Sequence, residues 1–428
     1  MMTSGGLAPC LSASIAQLVK YWVQALEDGK ISDLSFRFYV SGYKGLLTGD
    51  SFVLDKADWP KCEALLKLGG SPIGNSRVKL TNVEDCIKKG YGTFLDGSLT
   101  TVFAYCSSCV RISMIPPTVP EGSTPLEVAS QQLLKDKITV IHTIGGDDTN
   151  TQAAHLSDYL LEKHDGKVIV VGMPKTIDND VYPIKQTFGA QTAAEQGAKY
   201  FENIVNESTA NPRMLILHEV MGRDSGYLTA ATSLEYRKIL AQQNFDATAF
   251  PYNGTATRDI HAIWIPEIKL DLVAEGARLK EIMEKNGCVN VFFGEGTGVE
   301  EIVKDMESRG EEVPRDAFGH IALAKINPGQ YFSKHLAKAI DAQKTLVQKS
   351  GYFSRAAAAN DFDVQLIGDC AKVGVDSAID GISGCMGQDE DKEGTPIRAI
   401  EFNRVKGGKP FDISQTWFQQ MLKEIGQI

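Results

Sequence analysis

The chain contains no run approaching the roughly 20 apolar residues that a membrane-spanning helix requires, so an integral helical membrane protein is not expected. Basic residues are not in excess either. Lys and Arg number 44 against 54 Asp and Glu, a net charge of −10, and the sequence pI is about 5.3. The overall field therefore gives no reason to expect nucleic acid or an anionic membrane as partner, and anionic ligands must be drawn by local cations. A secretory leader is not expected either. Leu7-Ala8-Pro9-Cys10 has the composition of a lipoprotein cleavage box, but neither a basic nor an apolar segment precedes it, and a cytoplasmic location is expected. The eight cysteines form no framework, as suits reduced thiols. Cys106 and Cys109 are the one close pair, and without a second pair they do not make a zinc site. Internal repeats and low-complexity linkers are also absent, which points to interleaved rather than serial domains. With 428 residues and 43% hydrophobic content, there is enough chain for two or three cores.

What is present is a set of apolar runs that end in unusual turns. The β-branched run from Ile138 to Ile144 reads as a buried strand and enters Gly145-Gly146-Asp147-Asp148-Thr149, followed by a helical pattern. A strand, glycine turn and helix N-terminus at the carboxyl edge of an α/β sheet makes a phosphate site. Two carboxylates there would repel phosphate. The conflict resolves if Asp147 holds a divalent cation shared with a phosphate ligand while Asp148 excludes a larger one.

A second buried strand, Lys167 to Gly172, runs into Met173-Pro174-Lys175-Thr176-Ile177-Asp178-Asn179-Asp180. In extended chain, Asp178 and Asp180 point the same way, and Lys175 supplies a compact positive charge. A carboxylate in such a loop can accept the proton of an attacking sugar hydroxyl. Further on, Gln186–Val205 reads as helix, Met214–Val220 as strand, Asp224–Leu240 as helix, and His261–Ile265 and Cys288–Phe293 as strands. This alternation indicates parallel α/β layers.

At these residues the chain resembles the phosphofructokinase family, and within it the pyrophosphate-dependent branch. The matching pieces are Thr3-Ser4-Gly5-Gly6-Leu7-Ala8-Pro9, Gly42-Tyr43-Lys44-Gly45-Leu46, Gly69-Gly70-Ser71 through Arg77, the Gly-Gly-Asp-Asp-Thr turn, the Pro-Lys-Thr-Ile-Asp-Asn-Asp loop and Met221-Gly222-Arg223. Several separate loops in family order are hard to reach by accident.

The resemblance implies two interleaved Rossmann-like three-layer α/β/α domains with parallel-rich sheets. A phosphoryl-donor domain is expected over 1–185 plus about 352–410, and a sugar-phosphate domain over about 186–351 plus 411–428. Residues of about 296–350 would include a subtype insertion. The implied activity is reversible transfer of a phosphoryl group from pyrophosphate to fructose 6-phosphate, with Mg²⁺ on Asp147, in a homodimer or homotetramer. Asp178 would be the general base, with Gly6, Arg77 and Lys175 neutralising the transferred group. Thr176, Asp180, Met221, Gly222, Arg223 and Glu295 would hold the sugar phosphate, together with Tyr352 and Arg355. Arg213 would reach the sugar phosphate of a neighbouring subunit, although its spacing to Met221 is one residue longer than in compact members because of His218. His320 reads instead as an interior histidine. Met1-Met2-Thr3 leaves room for only a very short first strand, or a chain that begins later than its relatives.

Two residues point to the donor. ATP-using members usually carry glycine at the positions of Asp148 and Lys175. A carboxylate about 4 Å from a phosphate oxygen costs roughly 4 kcal/mol at an effective dielectric near 20, which would exclude ATP. Tyr43 matches a residue that packs on adenine in ATP users and would have no base to meet here, and Cys10 adds bulk where glycine is common. An ATP-dependent sugar-phosphate kinase is the nearest alternative. A non-catalytic sugar-phosphate-sensing subunit is a second, opposed by the presence of both Asp178 and Asp180.

Overall fold

The computed structural model describes residues 1–90, 123–245, 248–249, 254–315, 321–392 and 394–428. Cys106, Cys109 and His320 lie outside the described residues. The chain divides into two compact units. Unit 1 comprises residues 1–175, 183–185 and 364–407, and unit 2 comprises 176–182, 186–363 and 408–428. The chain therefore changes unit between Lys175 and Thr176, ten residues before the boundary expected from sequence. Residues 352–363, expected in the donor domain, belong to unit 2.

The sheet of unit 1 contains β1 (Met2–Thr3), β4 (Val140–Gly145), β5 (Ile169–Pro174), β10 (Gly384–Gly387) and β11 (Arg398–Ile400), side by side in that order. The first four run parallel, and β11 is antiparallel to β10. A hairpin of β2 (Phe36–Tyr39) and β3 (Ser51–Leu54) accompanies it. The first strand is indeed only two residues long, with Thr3 in register with Ile144. Gly145 is in register with Pro174, so the segments after β1, β4 and β5 leave the sheet at one edge. The helix Asp147–His164 follows β4, with Asp147 and Asp148 in its first turn and Lys163 and His164 in its last, matching both ends of its dipole. Its close start depends on Gly145, where a Cβ would lie 2.3 Å from Thr149.

Unit 2 carries a fully parallel sheet of β7 (Ala262–Trp264), β8 (Cys288–Gly294), β6 (Met214–Val220) and β9 (Lys344–Lys349) in that order. Its two faces are both buried, as parallel sheets require. Met214 and Ile216 of β6 pack on one face with Phe201, Tyr236 and Phe292, whereas Leu215 and Leu217 pack on the other with Phe293, Phe332 and Leu336. The stretch 296–350 is thus more than an appended insertion, since it supplies β9, paired along its length with β6. The strands expected at 214–220 and 288–293 fall at Met214–Val220 and Cys288–Gly294, and the expected helices at 186–205 and 224–240 begin later, at Ala190 and Tyr227. No helix among the described residues is long and apolar enough to cross a membrane.

Candidate active site

In unit 1 the turn Ser4-Gly5-Gly6 is tied down by three hydrogen bonds. Ser4 N donates to Ile144 O at 2.9 Å, Gly5 N donates to Ser76 O at 2.9 Å, and Ser4 Oγ donates to the same carbonyl at 2.9 Å. Gly5 has φ +85°, a conformation that glycine adopts without strain. Lys175, directly after β5, is 4% exposed and donates from Nζ to Gly6 O at 2.6 Å, while its backbone N donates to Gly145 O at 2.8 Å. The ammonium is therefore held against the glycine turn, with the start of the Asp147–His164 helix beside it.

Asp147 and Asp148 differ in surroundings although adjacent. Asp148 is exposed and pairs with Lys79 at 2.8 Å. Asp147 is partly buried, and burial raises its pKa against hydrogen bonds from the backbone N–H groups of the helix start. Gly407 lies against it, so close that a Cβ there would stand 2.3 Å from Asp147 Oδ2. No group of three or more His, Cys, Asp or Glu able to hold a metal occurs among the described residues. A protein contribution of one carboxylate suits magnesium, which keeps several waters and is shared with phosphate oxygens. A divalent cation would also stabilise the charge that burial disfavours on Asp147.

Arg77 is exposed and has no hydrogen bond or ion pair among the described residues, so it is available to a ligand. Lys79 escaped the sequence reasoning. Its signal was the alternation Arg77-Val78-Lys79-Leu80, in which Val78 and Leu80 are buried and Arg77 and Lys79 point away from them. Tyr43 is fully buried, with its hydroxyl donating to Thr149 O at 2.9 Å, and Cys10 is buried just before the helix Leu11–Glu27.

In unit 2 the loop after Lys175 is braced by its own side chains. Thr176 Oγ1 accepts from Asp178 N at 3.2 Å and donates to Asp180 Oδ1 at 3.2 Å. Thr187 Oγ1 donates to Thr176 O at 2.8 Å, and its backbone N donates to Asn179 Oδ1 at 2.8 Å. Ser225 Oγ donates to Asp178 O at 3.1 Å. The loop approaches Gly222, where a Cβ would lie 3.9 Å from Asp178 Oδ1.

Met221 directly follows β6 and Gly222 after it has φ +121°, so Met221-Gly222-Arg223 turns out of the sheet beside Glu295-Gly296, which follows β8 in register. Glu295 accepts from Gly222 N at 3.4 Å, and its own N donates to Val220 O at 2.9 Å. Burial raises the pKa of Glu295, partly offset by that backbone bond and by Arg223 and Arg355. Gly296 allows the approach, because a Cβ there would meet Arg223 O at 1.7 Å.

After β9 comes the short helix Gly351–Ala356, carrying Tyr352 and Arg355 three residues apart and hence on one side. Arg355 Nη1 donates to Met221 Sδ at 3.6 Å, whereas Tyr352 is 81% exposed. Arg213 stands at the other end of β6. Its guanidinium donates to Glu284 at 2.9 Å and to the carbonyls of Asp341 and Ile340 at 2.7 and 2.9 Å, away from the residues after Val220 of its own chain. In unit 2, then, Thr176, Asp178 and Asp180 share one braced loop and Met221 to Arg223, Glu295 and Arg355 share one strand edge, with Arg213 outside both.

A glycine turn with a buried lysine in one unit, and a carboxylate loop with an arginine-lined strand edge in the other, is the equipment of a phosphoryl-transfer enzyme acting on a phosphorylated sugar. The phosphofructokinase family profile matches residues 1–376, and the chain belongs to that family. Over its full length it is 51% identical to the pyrophosphate–fructose 6-phosphate 1-phosphotransferase of Methylotuvimicrobium alcaliphilum, covering 96% of that protein. It is 46% identical, again over its full length and 95% of the relative, to the protein of the same name from Mastigamoeba balamuthi. Among solved structures, the pyrophosphate-dependent phosphofructokinase from Marinobacter aquaeolei superposes with a TM-score of 0.65 at 17% identity, covering 99% of this chain and 90% of that one. That similarity supports the fold.

Proposed function

We propose that this chain transfers a phosphoryl group from pyrophosphate to the 1-hydroxyl of fructose 6-phosphate, giving fructose 1,6-bisphosphate and phosphate in a reversible step. The observation that carries the donor assignment is the pairing of a buried Lys175 on the Gly5-Gly6 turn with a carboxylate, Asp148, at the helix start where ATP users carry glycine. Full-length relatives bearing that enzyme's name support it.

Asp178 takes the proton from the sugar's 1-hydroxyl as that oxygen bonds to the near phosphorus of pyrophosphate. The bridging P–O bond breaks and phosphate leaves. Lys175 and Arg77 compensate charge on the transferred group, with Gly6 admitting it close to the backbone. Arg223 and Arg355 hold the 6-phosphate, Glu295 accepts from sugar hydroxyls, and Thr176 and Asp180 keep the Asp178 loop in shape. Asp147 would hold magnesium, which when bound supplies charge neutralisation on the pyrophosphate oxygens. A cytoplasmic homo-oligomer in which Arg213 serves a neighbouring subunit belongs to the same reading.

A coupled spectrophotometric assay offering pyrophosphate or ATP with fructose 6-phosphate is the test. Turnover with pyrophosphate and little with ATP is expected, and robust turnover with ATP alone would overturn the donor assignment.

A further inference from the structure

Strand β6 is buried along its whole length and apolar except at His218 and Glu219. Polar side chains inside a parallel sheet have to find partners. Both find them at one place, the C-terminal end of β9. Glu219 Oε1 accepts from Lys349 Nζ at 2.8 Å on one face of the sheet. On the opposite face, His218 Nε2 and Ser350 Oγ are 2.8 Å apart in a hydrogen bond that either can donate. Ser350 N also donates to Glu219 O at 3.3 Å.

His218 sits in an aromatic cage. Its ring lies parallel to Phe201 at 5.2 Å and edge-on to Phe292 at 4.6 Å. Burial pushes its pKa down to about 3, so the ring is neutral at ordinary pH. Its Nδ1 has no hydrogen-bond partner among the described residues, which leaves the bond to Ser350 as the ring's one polar interaction there. A phenylalanine would fill this cage without a desolvation cost, so packing alone does not account for a histidine.

Ser350 is the N-cap residue of the helix Gly351–Ala356, and its carbonyl accepts from Ser354 N at 2.9 Å. Gly351 lets the helix approach β6 so closely that a Cβ would stand 2.6 Å from Met221 Cε, and Arg355 reaches Met221 Sδ from the next turn. A small rotation about residue 350 would therefore move the Arg355 guanidinium away from the end of β6. We propose that His218 is a positioning residue for fructose 6-phosphate, acting through Ser350 to fix the helix that presents Tyr352 and Arg355. This rests on the reading that Tyr352 and Arg355 hold the sugar phosphate.

The test compares His218→Phe, which keeps the stack, with Ser350→Ala, which removes the bond from the other side, and with Ser350→Thr, which restores a hydroxyl. Loss of one buried hydrogen bond that orients a charged ligand contact is expected to raise the KM for fructose 6-phosphate by about five- to tenfold in the first two. The KM for pyrophosphate and kcat at saturation should stay near wild type, while the melting temperature of Ser350→Ala should fall by only a few degrees, as expected for one buried ring left without its partner. The double variant should be no worse than either single one, and Ser350→Thr should recover most of the loss. Unchanged KM values in both single variants, or equal rises in the two substrates' KM, would overturn the proposal. Arg355→Ala serves as the separate control: if it leaves the KM for fructose 6-phosphate unchanged, the clamp assignment fails and takes this inference with it, whereas a large rise there with no effect at 218 and 350 refutes the positioning role alone.

Discussion

Replacing Asp148 by glycine tests donor choice most directly, and the structure sets the size of the expected effect. A carboxylate and a phosphate oxygen about 4 Å apart repel by roughly 4 kcal/mol at an effective dielectric of 20 but only about 1 kcal/mol in bulk water. The Asp148 side chain is 65% exposed and its Oδ1 is 2.8 Å from Lys79 Nζ. Both features weaken the repulsion, so the relief should lie near the lower figure. Removing the carboxylate also lets the positive charge of Lys79 act on an incoming α-phosphate without the opposing charge beside it, which adds a comparable attraction. Together about 1–2 kcal/mol is expected, or a gain of roughly five- to thirtyfold in kcat/KM for ATP.

Asp148→Asn keeps the bulk without the charge and should recover much of this gain if charge is the barrier. Asp148→Gly combined with Lys79→Ala should fall below Asp148→Gly alone. The assay is the coupled measurement with ATP as donor and fructose 6-phosphate at saturation. No gain in Asp148→Gly, with pyrophosphate turnover intact, would show that this residue does not set the donor.

Asp178→Asn is nearly isosteric and removes the proton acceptor, so kcat should fall by about 10²- to 10⁴-fold with little change in either KM; single-turnover kinetics at near-normal rate would remove Asp178 from that role. Gly407→Ala places a methyl 2.3 Å from Asp147 Oδ2, and overpacking of this kind should weaken magnesium binding by about tenfold or more, as read by calorimetric titration of the free ion. An unaltered isotherm would mean that Asp147 is not the ligand. Glu295 has its pKa raised chiefly by burial, so its carboxylate becomes protonated on acidification before an ordinary glutamate would. Since the ionised form is the one that accepts from sugar hydroxyls, the KM for fructose 6-phosphate should rise as pH falls through that raised pKa, and Glu295→Gln should flatten the profile.

What could be read in the sequence was whatever a local pattern controls. The apolar runs that became β4, β5, β6 and β8 are long and β-branched, and the glycine turns after them require the backbone to change direction, so both strands and turns were visible. Strand β9 was not, because Lys344-Thr345-Leu346-Val347-Gln348-Lys349 is polar at both ends and only half-buried; its place at the sheet edge is decided by pairing with β6. Strands β10 and β11 are three or four residues long and are specified by neighbours rather than by period. Gly407 is 260 residues from Asp147 in sequence, and no local signal connects them. The unit boundary at Lys175 falls inside a continuous motif, so the same loop reads as one site in sequence while its residues belong to two compact bodies.

Tyr43 adds a second requirement for ATP that Asp148 does not touch. In ATP users the matching residue packs on adenine, but here the ring is fully buried and its hydroxyl donates to Thr149 O, one residue beyond Asp148. Burial pushes its pKa upward, so the hydroxyl remains a donor at any working pH. A ring committed to the interior offers no face to a base. Removing the Asp148 carboxylate should therefore help any longer phosphate chain about equally, whether or not a nucleoside is attached. Inorganic tripolyphosphate separates the two requirements: in Asp148→Gly its kcat/KM should rise by the same five- to thirtyfold as that of ATP, because the relieved repulsion acts on phosphate alone. If ATP gains strongly while tripolyphosphate does not, the nucleoside must be contributing binding energy of its own, and the reading of Tyr43 as closed to adenine would be wrong.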